Sequence, residues 1–597
     1  MVLKYTIIRK RNIKNFFERE RKKDMTYIEE YNFWLENVNP DEKAELLEIA
    51  GNDNEIKDRF YKSLEFGTAG IRGVIGIGLN RINTYVVARA TQGLANQLKK
   101  SNPEKNDLKV TIAYDSRIKS DEFAKTAARV LAANGIKAFI FSELKPVPEL
   151  SFSVRFKNAD AGIAVTASHN PAKYNGYKVY GSDGAQIGPD IAAIVLEEIE
   201  KTPMFGGAKL IDFDEGVKSG MIEIMGDDVE EKYLDEVQKQ CANPDLIKKA
   251  GKDMTFIYTP FHGSGLKPVT KIFKRVGFDN VVVVKEQELP DGNFPTVEFP
   301  NPEYKKSFEI AEKYAKKYDA DLIIGTDPDA DRCGIMIKGE NGEYISLTGN
   351  QTGLLLTEYI LEGKKALGTL PDDGFVVKSI VTTNIVKDIC AFYGVEMMDV
   401  LTGFKFIGEK IKEAEESGKG TYLFGFEESY GYLAGTYARD KDAVVASMLI
   451  AEMALFYREK GLSLYDQLQN VYKKYGFYNE FVVSANFEGI EGAEKMKNIM
   501  EGLHTNPPRE FGGKKVLAVR DYKASTRTDC LTGNVEEILL PKSDVIYLEL
   551  EGNNNFIVRP SGTEPKIKLY CMLCGKDREE AEEIAIKFKE DIEEIIK

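Results

Sequence analysis

The chain has 597 residues, of which 43% are hydrophobic and 29% are charged, and its formal net charge is -14 at pH 7. This length requires several domains, and the negative charge excludes a general electrostatic attraction to nucleic acid or to an anionic membrane. No apolar stretch is long enough to span a bilayer. The cysteines are few and scattered, which predicts a reducing, cytoplasmic location. They are Cys241, Cys333, Cys390, Cys530, Cys571 and Cys574.

In chain order, a basic extension over residues 1–24 is followed by apolar, β-branched runs that alternate with amphipathic helical patterns. This alternation is typical of parallel α/β layers. Strands are predicted at Val110–Tyr114, Ala138–Phe141, Ala161–Ala167, Thr255–Thr259, Val281–Val284, Leu322–Gly325, Phe375–Lys378, Tyr422–Phe426, Val545–Leu550 and Ile567–Leu573. Helices are predicted at Glu122–Ala133, Gln351–Leu361, Leu462–Tyr475 and Glu579–Ile596.

Linker-like sequence near Gly226–Asp228, Gly339–Tyr344 and the end of the Leu462–Tyr475 helix divides the chain further. The predicted fold is α/β, with three successive α/β domains followed by a smaller C-terminal α+β domain. The predicted limits are 25–226, 227–345, 346–475 and 476–597. Cys571 and Cys574 form a C-x-x-C, which we interpret as part of a buried strand because no second cysteine pair or histidine is near.

Four polar loops each follow an apolar strand, and in open α/β sheets ligands bind beyond the carboxyl ends of the strands. The first loop, Thr166–Pro171, reads TASHNP. The Ser168 hydroxyl is a candidate phosphoryl acceptor, and His169 is a candidate for proton exchange or phosphate binding. A Ser–His–Asp triad is not expected, because adjacent residues do not easily direct His169 at the Ser168 hydroxyl.

The second loop, Gly325–Arg332, reads GTDPDADR. Its alternating carboxylates Asp327, Asp329 and Asp331 repel one another unless a cation lies between them. Oxygen ligands completed by a phosphate oxygen suit Mg²⁺. An EF-hand is excluded, because Arg332 occupies the position that requires glycine and Lys338 the position that requires glutamate.

The third and fourth loops have weaker patterns. Glu427 and Ser429 in Gly425–Gly431 pair a carboxylate with a hydroxyl, which suits the vicinal hydroxyls of a sugar. Arg559–Lys566 offers a guanidinium, two hydroxyls and a glycine, which suits a phosphate, and it is not a Walker A loop. Taken singly, a solvated acidic turn and a basic hairpin explain these two loops equally well.

Together, TASHNP, GTDPDADR, GFEESYG and RPSGTEPK, with GTAGIRG ahead of them, resemble the α-D-phosphohexomutase superfamily. The resemblance extends from about Phe66 to Tyr570. Leu401–Phe406, which reads LTGFKF, resembles the branch that contains bacterial phosphoglucomutases and the animal phosphopentomutase group. The resemblance implies mixed sheets in four domains around a central cleft, with one loop from each domain.

The resemblance also implies the roles of individual residues. Ser168 is implied to be the phosphoserine, and its phosphate binds Mg²⁺ together with Asp327, Asp329 and Asp331. The residues implied to surround the transferring phosphoryl group are Arg72, His169, Lys178 and Lys441. Those implied to bind the sugar and its second phosphate are Arg332, Thr402, Gly403, Lys405, Glu427, Ser429, Lys441, Arg559, Ser561, Gly562 and Thr563.

The implied reaction interconverts glucose 1-phosphate and glucose 6-phosphate, with glucose 1,6-bisphosphate as intermediate and activator. His169 and Lys178 are both candidates for the general acid or base. A phosphopentomutase acting on ribose phosphates, a bisphosphate synthase and a non-catalytic phosphosugar-binding protein are the alternatives. The expected partner is a small phosphosugar, with no nucleic acid and no membrane, and the sequence does not decide between monomer and dimer.

Overall fold

The computed structural model describes residues 25–67, 70–487, 489–561 and 566–597. Within these ranges the chain forms four successive β-sheets, each with its own helices. No helix in this part of the chain is both long and apolar enough to cross a membrane. The α/β fold class is confirmed, whereas the exact domain limits stay predictions.

The first domain opens with three short helices, Tyr27–Asn37, Pro40–Glu48 and Asp53–Phe60. Its strands are β1 (Gly70–Val74), β2 (Lys109–Tyr114), β3 (Lys137–Phe141), β4 (Ala161–Val165), β5 (Tyr174–Gly181) and β6 (Ile222–Met225). The remaining helices are Thr84–Ser101, Ser120–Ala133, Val147–Phe156, Pro189–Glu200 and Phe213–Lys218. The sheet order is β1-β5-β4-β2-β3-β6, with β4, β2, β3 and β6 parallel and with β5 and β1 added antiparallel at one edge.

The second domain carries β7 (Phe256–Thr259), β8 (Val281–Val283), β9 (Leu322–Thr326), β10 (Cys333–Lys338) and β11 (Tyr344–Ser346) in the order β11-β10-β9-β7-β8. Its helices are Asp227–Gln238, Pro244–Ala250, Leu266–Val276, Lys285–Glu288 and Glu309–Tyr318, with 3₁₀ turns at Gly251–Asp253 and Lys305–Phe308. The parallel strands β7 and β9 are completely buried, which explains their continuous apolar sequences.

The third domain has β12 (Gly374–Ser379), β13 (Glu396–Val400), β14 (Thr421–Glu427) and β15 (Gly431–Leu433) in the order β13-β12-β14-β15. Its helices are Gly349–Ala366, Ile385–Tyr393, Lys405–Ser417, Ala443–Glu459 and Leu464–Tyr475. The helix Ala443–Glu459 is buried on nearly all sides and packs against the second domain, so the two domains share one apolar core.

The fourth domain is an antiparallel sheet with helices Gly489–Thr505 and Arg578–Ile596. Its strands are β16 (Phe477–Asn486), β17 (Glu510–Phe511), β18 (Lys514–Asp521), β19 (Thr526–Asp529), β20 (Val535–Glu537), β21 (Ile546–Leu550), β22 (Asn554–Pro560) and β23 (Lys566–Gly575). Cys571 and Cys574 lie on β23 in two different apolar clusters, as expected for strand residues three apart that point to opposite faces.

Every predicted strand overlaps an observed one, but several observed strands were missed. The missed strands include β1, β5, β10 and β16. The predicted strand Ala161–Ala167 ends at Val165, because the chain turns at Thr166 to form the TASHNP loop.

Candidate active site

The predicted loops converge on one cleft of about 2030 Å³ that is lined by residues of all four domains. The first three domains are joined by a continuous apolar cluster, and the fourth closes the cleft through contacts with the third. The predicted site residues that line the cleft are Arg72, Ser168, His169, Lys178, Asp331, Arg332, Thr402, Gly403, Lys405, Glu427, Ser429, Lys441 and Arg559.

Ser168 meets the acidic loop directly. Its hydroxyl donates a hydrogen bond to Asp327 Oδ2 at 2.8 Å, although the two residues are 159 positions apart in the chain. The Ser168 backbone is left-handed, with φ +51°, a conformation that costs a non-glycine residue roughly 1–3 kcal/mol and persists only where its surroundings impose it. The Ser168 N–H donates to Thr166 Oγ1 at 2.8 Å, which fixes the turn.

The expectation that His169 is not easily directed at the neighbouring Ser168 hydroxyl is wrong. His169 Nδ1 lies 3.1 Å from Ser168 Oγ, because the left-handed turn at Ser168 brings the two side chains to the same side of the loop. Burial, and then the charges of Arg332 and Arg72, hold the pKa of His169 well below its ordinary value. The imidazole is therefore neutral. Among the described residues no carboxylate accepts a hydrogen bond from His169, so the pair is not part of a triad.

The three aspartates of the second loop are buried, and one oxygen of each lies within 4.8 Å of the others. Asp329 Oδ2 accepts a hydrogen bond from Lys178 Nζ at 3.0 Å, and Asp331 Oδ2 lies 3.2 Å from Lys441 Nζ. Asp329 Oδ1 and Asp331 Oδ1 are buried and have no hydrogen-bond partner in the described chain. Buried anionic oxygens without a donor fit a bound cation. The group could therefore hold a divalent metal ion.

The charges around these carboxylates are unequal. Burial, and then the charges of Asp329 and Asp331, raise the pKa of Asp327 well above its ordinary value. Burial acts on Asp329 in the same direction, but the charge of Lys178 and the hydrogen bonds that Asp329 accepts bring its pKa below the ordinary value. Asp329 is thus the carboxylate most firmly held in its anionic form.

Backbone contacts from other domains hold the acidic loop in place. The Val147 N–H of the first domain donates to the Asp329 carbonyl at 2.9 Å, and the Ala443 N–H of the third domain donates to the Ala330 carbonyl at 3.1 Å. Within the loop, Asp327 Oδ1 accepts the Asp331 N–H at 3.1 Å. The position of the acidic loop therefore depends on three domains.

The predicted sugar-binding residues are also brought together. Glu427 Oε1 accepts the Gly403 N–H at 2.7 Å, which ties the GFEESYG loop to the LTGFKF segment. Gly403 has φ +116°, a conformation that favours glycine. Burial, and then the charge of Glu428, raise the pKa of Glu427 to about 6. Burial lowers the pKa of Lys405.

The fourth loop joins two antiparallel strands, so the rule for the carboxyl ends of parallel strands does not explain its position. Arg559 stands at the end of β22 and pairs across the sheet with Lys568 of β23. Both side chains line the cleft, and Ser561 is half-buried beside them. Gly562 and Thr563, which were predicted to bind phosphate, lie outside the described residues.

Comparison with known proteins agrees with this geometry. Family models for the four domains of phosphoglucomutase/phosphomannomutase match in order: alpha/beta/alpha domain I over 63–204, alpha/beta/alpha domain II over 231–341, alpha/beta/alpha domain III over 348–475 and the C-terminal domain over 508–590. The chain belongs to the phosphoglucomutase/phosphomannomutase family. It is therefore an enzyme of the phosphoryl-transferring mutase class.

Relatives of this family member are similar over nearly their whole length. A phosphoglucomutase of Staphylococcus saprophyticus is 37% identical over 562 residues, which is 93% of this chain and 98% of the relative. A phosphoglucomutase of Staphylococcus aureus is 38% identical over 524 residues, covering 87% and 92% of the two chains. The open form of parafusin, a phosphoglucomutase of Paramecium, shares the fold with a TM-score of 0.65 at 17% identity, covering 90% of this chain and 95% of that chain.

Two residues beside the site of this phosphoglucomutase/phosphomannomutase family member were not predicted from the sequence. Asp115 and Arg117 follow β2, and both side chains are buried behind the Ser168 loop. Asp115 Oδ2 accepts the Thr166 hydroxyl at 2.6 Å. Their position was predictable in principle, because β2 and β4 are adjacent parallel strands whose carboxyl ends lie side by side.

Proposed function

We propose that the protein interconverts glucose 1-phosphate and glucose 6-phosphate through phosphorylated Ser168 and glucose 1,6-bisphosphate. The observation that carries this proposal is the 2.8 Å hydrogen bond between Ser168 Oγ and Asp327 Oδ2, which places the nucleophile at the edge of the carboxylate group. The names of the curated relatives support glucose as the sugar. The free cysteines support a reducing, cytoplasmic setting.

Asp327, Asp329 and Asp331 would hold Mg²⁺ together with an oxygen of the Ser168 phosphoryl group. Mg²⁺ suits this donor set because all donors are hard oxygens and one comes from a phosphate. When bound, the ion would supply neutralisation of the charge on the transferring phosphoryl oxygens.

In the first half-reaction, the bond between Ser168 Oγ and phosphorus breaks while a sugar hydroxyl oxygen bonds to phosphorus. The sugar hydroxyl gives up its proton and the Ser168 oxygen gains one. In the second half-reaction, the bond between the other phosphorus and its sugar oxygen breaks while Ser168 Oγ bonds to that phosphorus. Ser168 gives up its hydroxyl proton again and the released sugar oxygen gains one. Neutral His169 lies 3.1 Å from Ser168 Oγ and is placed to hold that proton.

Lys178 has a different task in this proposal. Its ammonium group lies 3.0 Å from Asp329 Oδ2 and 3.9 Å from Asp331 Oδ2, so it orients the carboxylates and faces the transferring phosphoryl group. Arg72 donates to Asn170 Oδ1 at 3.1 Å and borders the same part of the cleft. Fixed cations at these positions stabilise the equatorial phosphoryl oxygens in the transition state.

The cleft also gives the intermediate room to turn over. Its volume of about 2030 Å³ exceeds the roughly 300–1,000 Å³ of an ordinary small-molecule pocket. In the proposal, Glu427 and Ser429 hold the sugar hydroxyls while Arg559 and Ser561 hold the phosphate that does not react. The same nucleophile then serves both half-reactions.

The test is to combine intact mass with initial rates. The purified wild-type protein should carry one additional phosphate, about 80 Da, and should convert glucose 1-phosphate faster than ribose 1-phosphate or mannose 1-phosphate. Ser168→Ala should lose both the added mass and the activity, whereas Ser153→Ala, a buried serine on the helix behind the site, should keep both. Faster turnover of ribose 1-phosphate would assign a phosphopentomutase, and an active Ser168→Ala variant would refute the phosphoserine mechanism.

A further inference from the structure

Arg117 is a buried cation, 3% exposed, that is not among the described residues lining the cleft. We propose that Arg117 is a positioning residue that fixes the Ser168 loop of the first domain against the second domain for phosphoryl transfer. This inference rests on the proposed function and adds a residue to it. Its support comes from backbone contacts on one side of the guanidinium and a contact between domains on the other.

The first support is the set of carbonyl groups that this one side chain contacts. Arg117 Nη2 donates to the Ser168 carbonyl at 2.5 Å and also to the Asn170 carbonyl. Arg117 Nη1 donates to the Pro171 carbonyl at 3.0 Å and to the Tyr174 carbonyl at 2.9 Å. One guanidinium thus connects the middle and end of the TASHNP loop with the start of β5. A planar group with several fixed donors can make this set of contacts, whereas the single ammonium of lysine cannot.

The second support is the orientation of Arg117 itself. Its N–H donates to Asp115 Oδ1 at 2.9 Å, and its Nε lies 3.3 Å from Asp115 Oδ2. The same carboxylate accepts the hydroxyl of Thr166, whose oxygen in turn accepts the Ser168 N–H. Asp115 and Arg117 therefore hold the loop from its amide side and its carbonyl side together. This explains how Ser168 is kept in its left-handed conformation.

The third support is a contact with the second domain. The Arg117 guanidinium lies over the ring of Phe294, 5.0 Å from its centroid. Gly292 approaches so closely that a Cβ there would lie 2.5 Å from the Ile118 nitrogen. The segment Leu289–Thr296 thus packs directly against the residues around Arg117.

That segment is in turn connected to the acidic loop. His262 Nδ1 lies 3.0 Å from the Leu289 carbonyl and Nε2 lies 2.9 Å from Thr296 Oγ1, so the imidazole joins both ends of the segment. Two residues later, the hydroxyl and the N–H of Ser264 both donate to the Pro328 carbonyl at 2.8 Å. Pro328 lies between Asp327 and Asp329. Arg117 therefore begins a continuous series of contacts from the nucleophile loop to the carboxylate loop, behind the cleft.

The experiment compares Arg117→Lys with Arg89→Lys. Arg89 is a matched control because it is also buried in the first domain and also donates to carbonyls, those of Ile199 and Thr202, away from the site. Arg117→Lys should lower kcat for glucose 1-phosphate about 10²-fold, with KM within about threefold, since a displacement near 1 Å is sufficient for such a loss. Amide hydrogen exchange in peptides covering 166–175 should rise about tenfold. Arg89→Lys should change neither quantity.

A second variant tests the inference even if Arg117→Lys fails to fold. Phe294→Leu keeps the guanidinium but removes the ring beneath it, and it should lower kcat about tenfold and raise exchange in the same peptides. A folded Arg117→Lys protein with wild-type kcat, or with unchanged exchange over 166–175, would overturn the inference. The exchange measurement does not depend on catalysis. Wild-type protein that converts no sugar phosphate would therefore overturn the proposed function. The exchange over 166–175 would still decide whether Arg117 positions the loop.

Discussion

At the residue scale, the two oxygens of Asp329 have different surroundings. Oδ2 accepts a hydrogen bond from Lys178 and lies 3.1 Å from the Thr166 hydroxyl oxygen, whereas Oδ1 is buried with no partner in the described chain. Asp329→Asn keeps the shape of the side chain but removes its charge and places an uncharged amide next to the proposed cation site. We expect the Mg²⁺ concentration for half-maximal activity to rise at least about tenfold, as for loss of one charged ligand.

The measurement is an activity titration with Mg²⁺ at saturating glucose 1-phosphate. Asp319→Asn is the control, because Asp319 is exposed in the same domain and pairs with Lys338 at 2.8 Å, away from the cleft. An unchanged titration in Asp329→Asn would contradict the assignment of Asp329 as a ligand.

The raised pKa of Glu427 leads us to expect that substrate binding depends on pH. Burial and the charge of Glu428 raise its pKa to about 6, so the carboxylate that we propose accepts the sugar hydroxyls is lost as the pH falls through 6. KM for glucose 1-phosphate should therefore rise about tenfold per pH unit below that point. Profiles of KM between pH 5 and pH 8 check this. In Glu427→Gln the KM should be higher throughout and should not vary in this range, and a wild-type KM that stays constant down to pH 5 would contradict the prediction.

The sequence identified side chains whose chemistry is unusual in itself, and it missed those whose role lies in their position. Three alternating aspartates and a strand-end serine are visible as residue types. Arg117 was not recognised because its partners are backbone carbonyls, which every residue has. The contact between Ser168 and His169 was predicted wrongly because it depends on one dihedral angle at Ser168 that residue types alone do not specify.

At the element scale, the helix Val147–Phe156 begins with a donor to the acidic loop and carries an unusual acid in its first turn. Glu149 is completely buried, and neither carboxylate oxygen has a hydrogen-bond partner in the described chain. Burial raises its pKa from 4.5 to about 8, although the charge of Lys145 opposes this shift. At neutral pH the helix therefore carries a protonated glutamic acid.

The consequence is a loss of stability as the pH rises. Between 4.5 and about 8 the folded protein keeps a proton on Glu149 that the unfolded chain releases. The free energy of unfolding should therefore decrease with increasing pH in this window, by up to about 1.4 kcal/mol per pH unit. In Glu149→Gln this contribution should be absent.

Thermal denaturation midpoints measured from pH 5 to pH 8.5 test this prediction. Over that range the midpoint temperature of the wild-type protein should decrease more than that of Glu149→Gln. Glu48→Gln, an exposed glutamate on an N-terminal helix, should follow the wild-type curve. Parallel curves for wild type and Glu149→Gln would show that the buried acid does not hold its proton.

The strands were predictable where an uninterrupted apolar run marks them in the sequence. The parallel strands β2, β4, β7 and β9 are short apolar runs between turns, and each was predicted. The edge strand β1 and its neighbour β5 were not, because GIRGV and YNGYKVYG contain glycine and polar residues where an apolar run is expected. Those strands are nevertheless specified by pairing, since β5 joins β4 to β1 in one antiparallel ladder.

At the scale of the whole molecule, the fourth domain contacts the third through a compact apolar cluster. Ile380, Val381 and Leu401 of the third domain pack with aromatic residues of the fourth, among them Tyr547 and Tyr570. Asn384 Nδ2 also donates to Tyr547 Oη at 2.8 Å. These contacts hold the fourth domain against the third, where Arg559 lines the shared cleft.

Placing a charge in that cluster should separate the two domains. In Val381→Asp we expect a larger radius of gyration in small-angle X-ray scattering, because a buried unpaired carboxylate is strongly unfavourable. KM for glucose 1-phosphate should rise at least about tenfold, equivalent to about 1.4 kcal/mol of lost binding. Leu531→Asp, on an exposed turn of the fourth domain at 78% exposure, should change neither quantity. A Val381→Asp protein with wild-type scattering and KM would show that the cluster does not position the fourth domain.

The number and order of the domains followed from the sequence, whereas their mutual packing did not. Composition and linker patterns predicted three α/β units before an α+β unit, as the four sheets confirm. The sequence holds no local signal for the cluster that contains Ile380 and Tyr547, which are far apart in the chain. Such contacts are specified by complementary surfaces rather than by periodicity.

The support of the acidic loop by three domains determines what happens when the enzyme is dissected. A fragment of residues 231–341, which matches one family model, contains every one of the three aspartates but lacks the amide donors of Val147 and Ala443 that fix the turn. Three carboxylates on an unsupported turn would separate from one another in water. We therefore expect the proposed affinity for a divalent ion only in the assembled polypeptide, and expression of that fragment by itself should yield a protein that does not retain the ion.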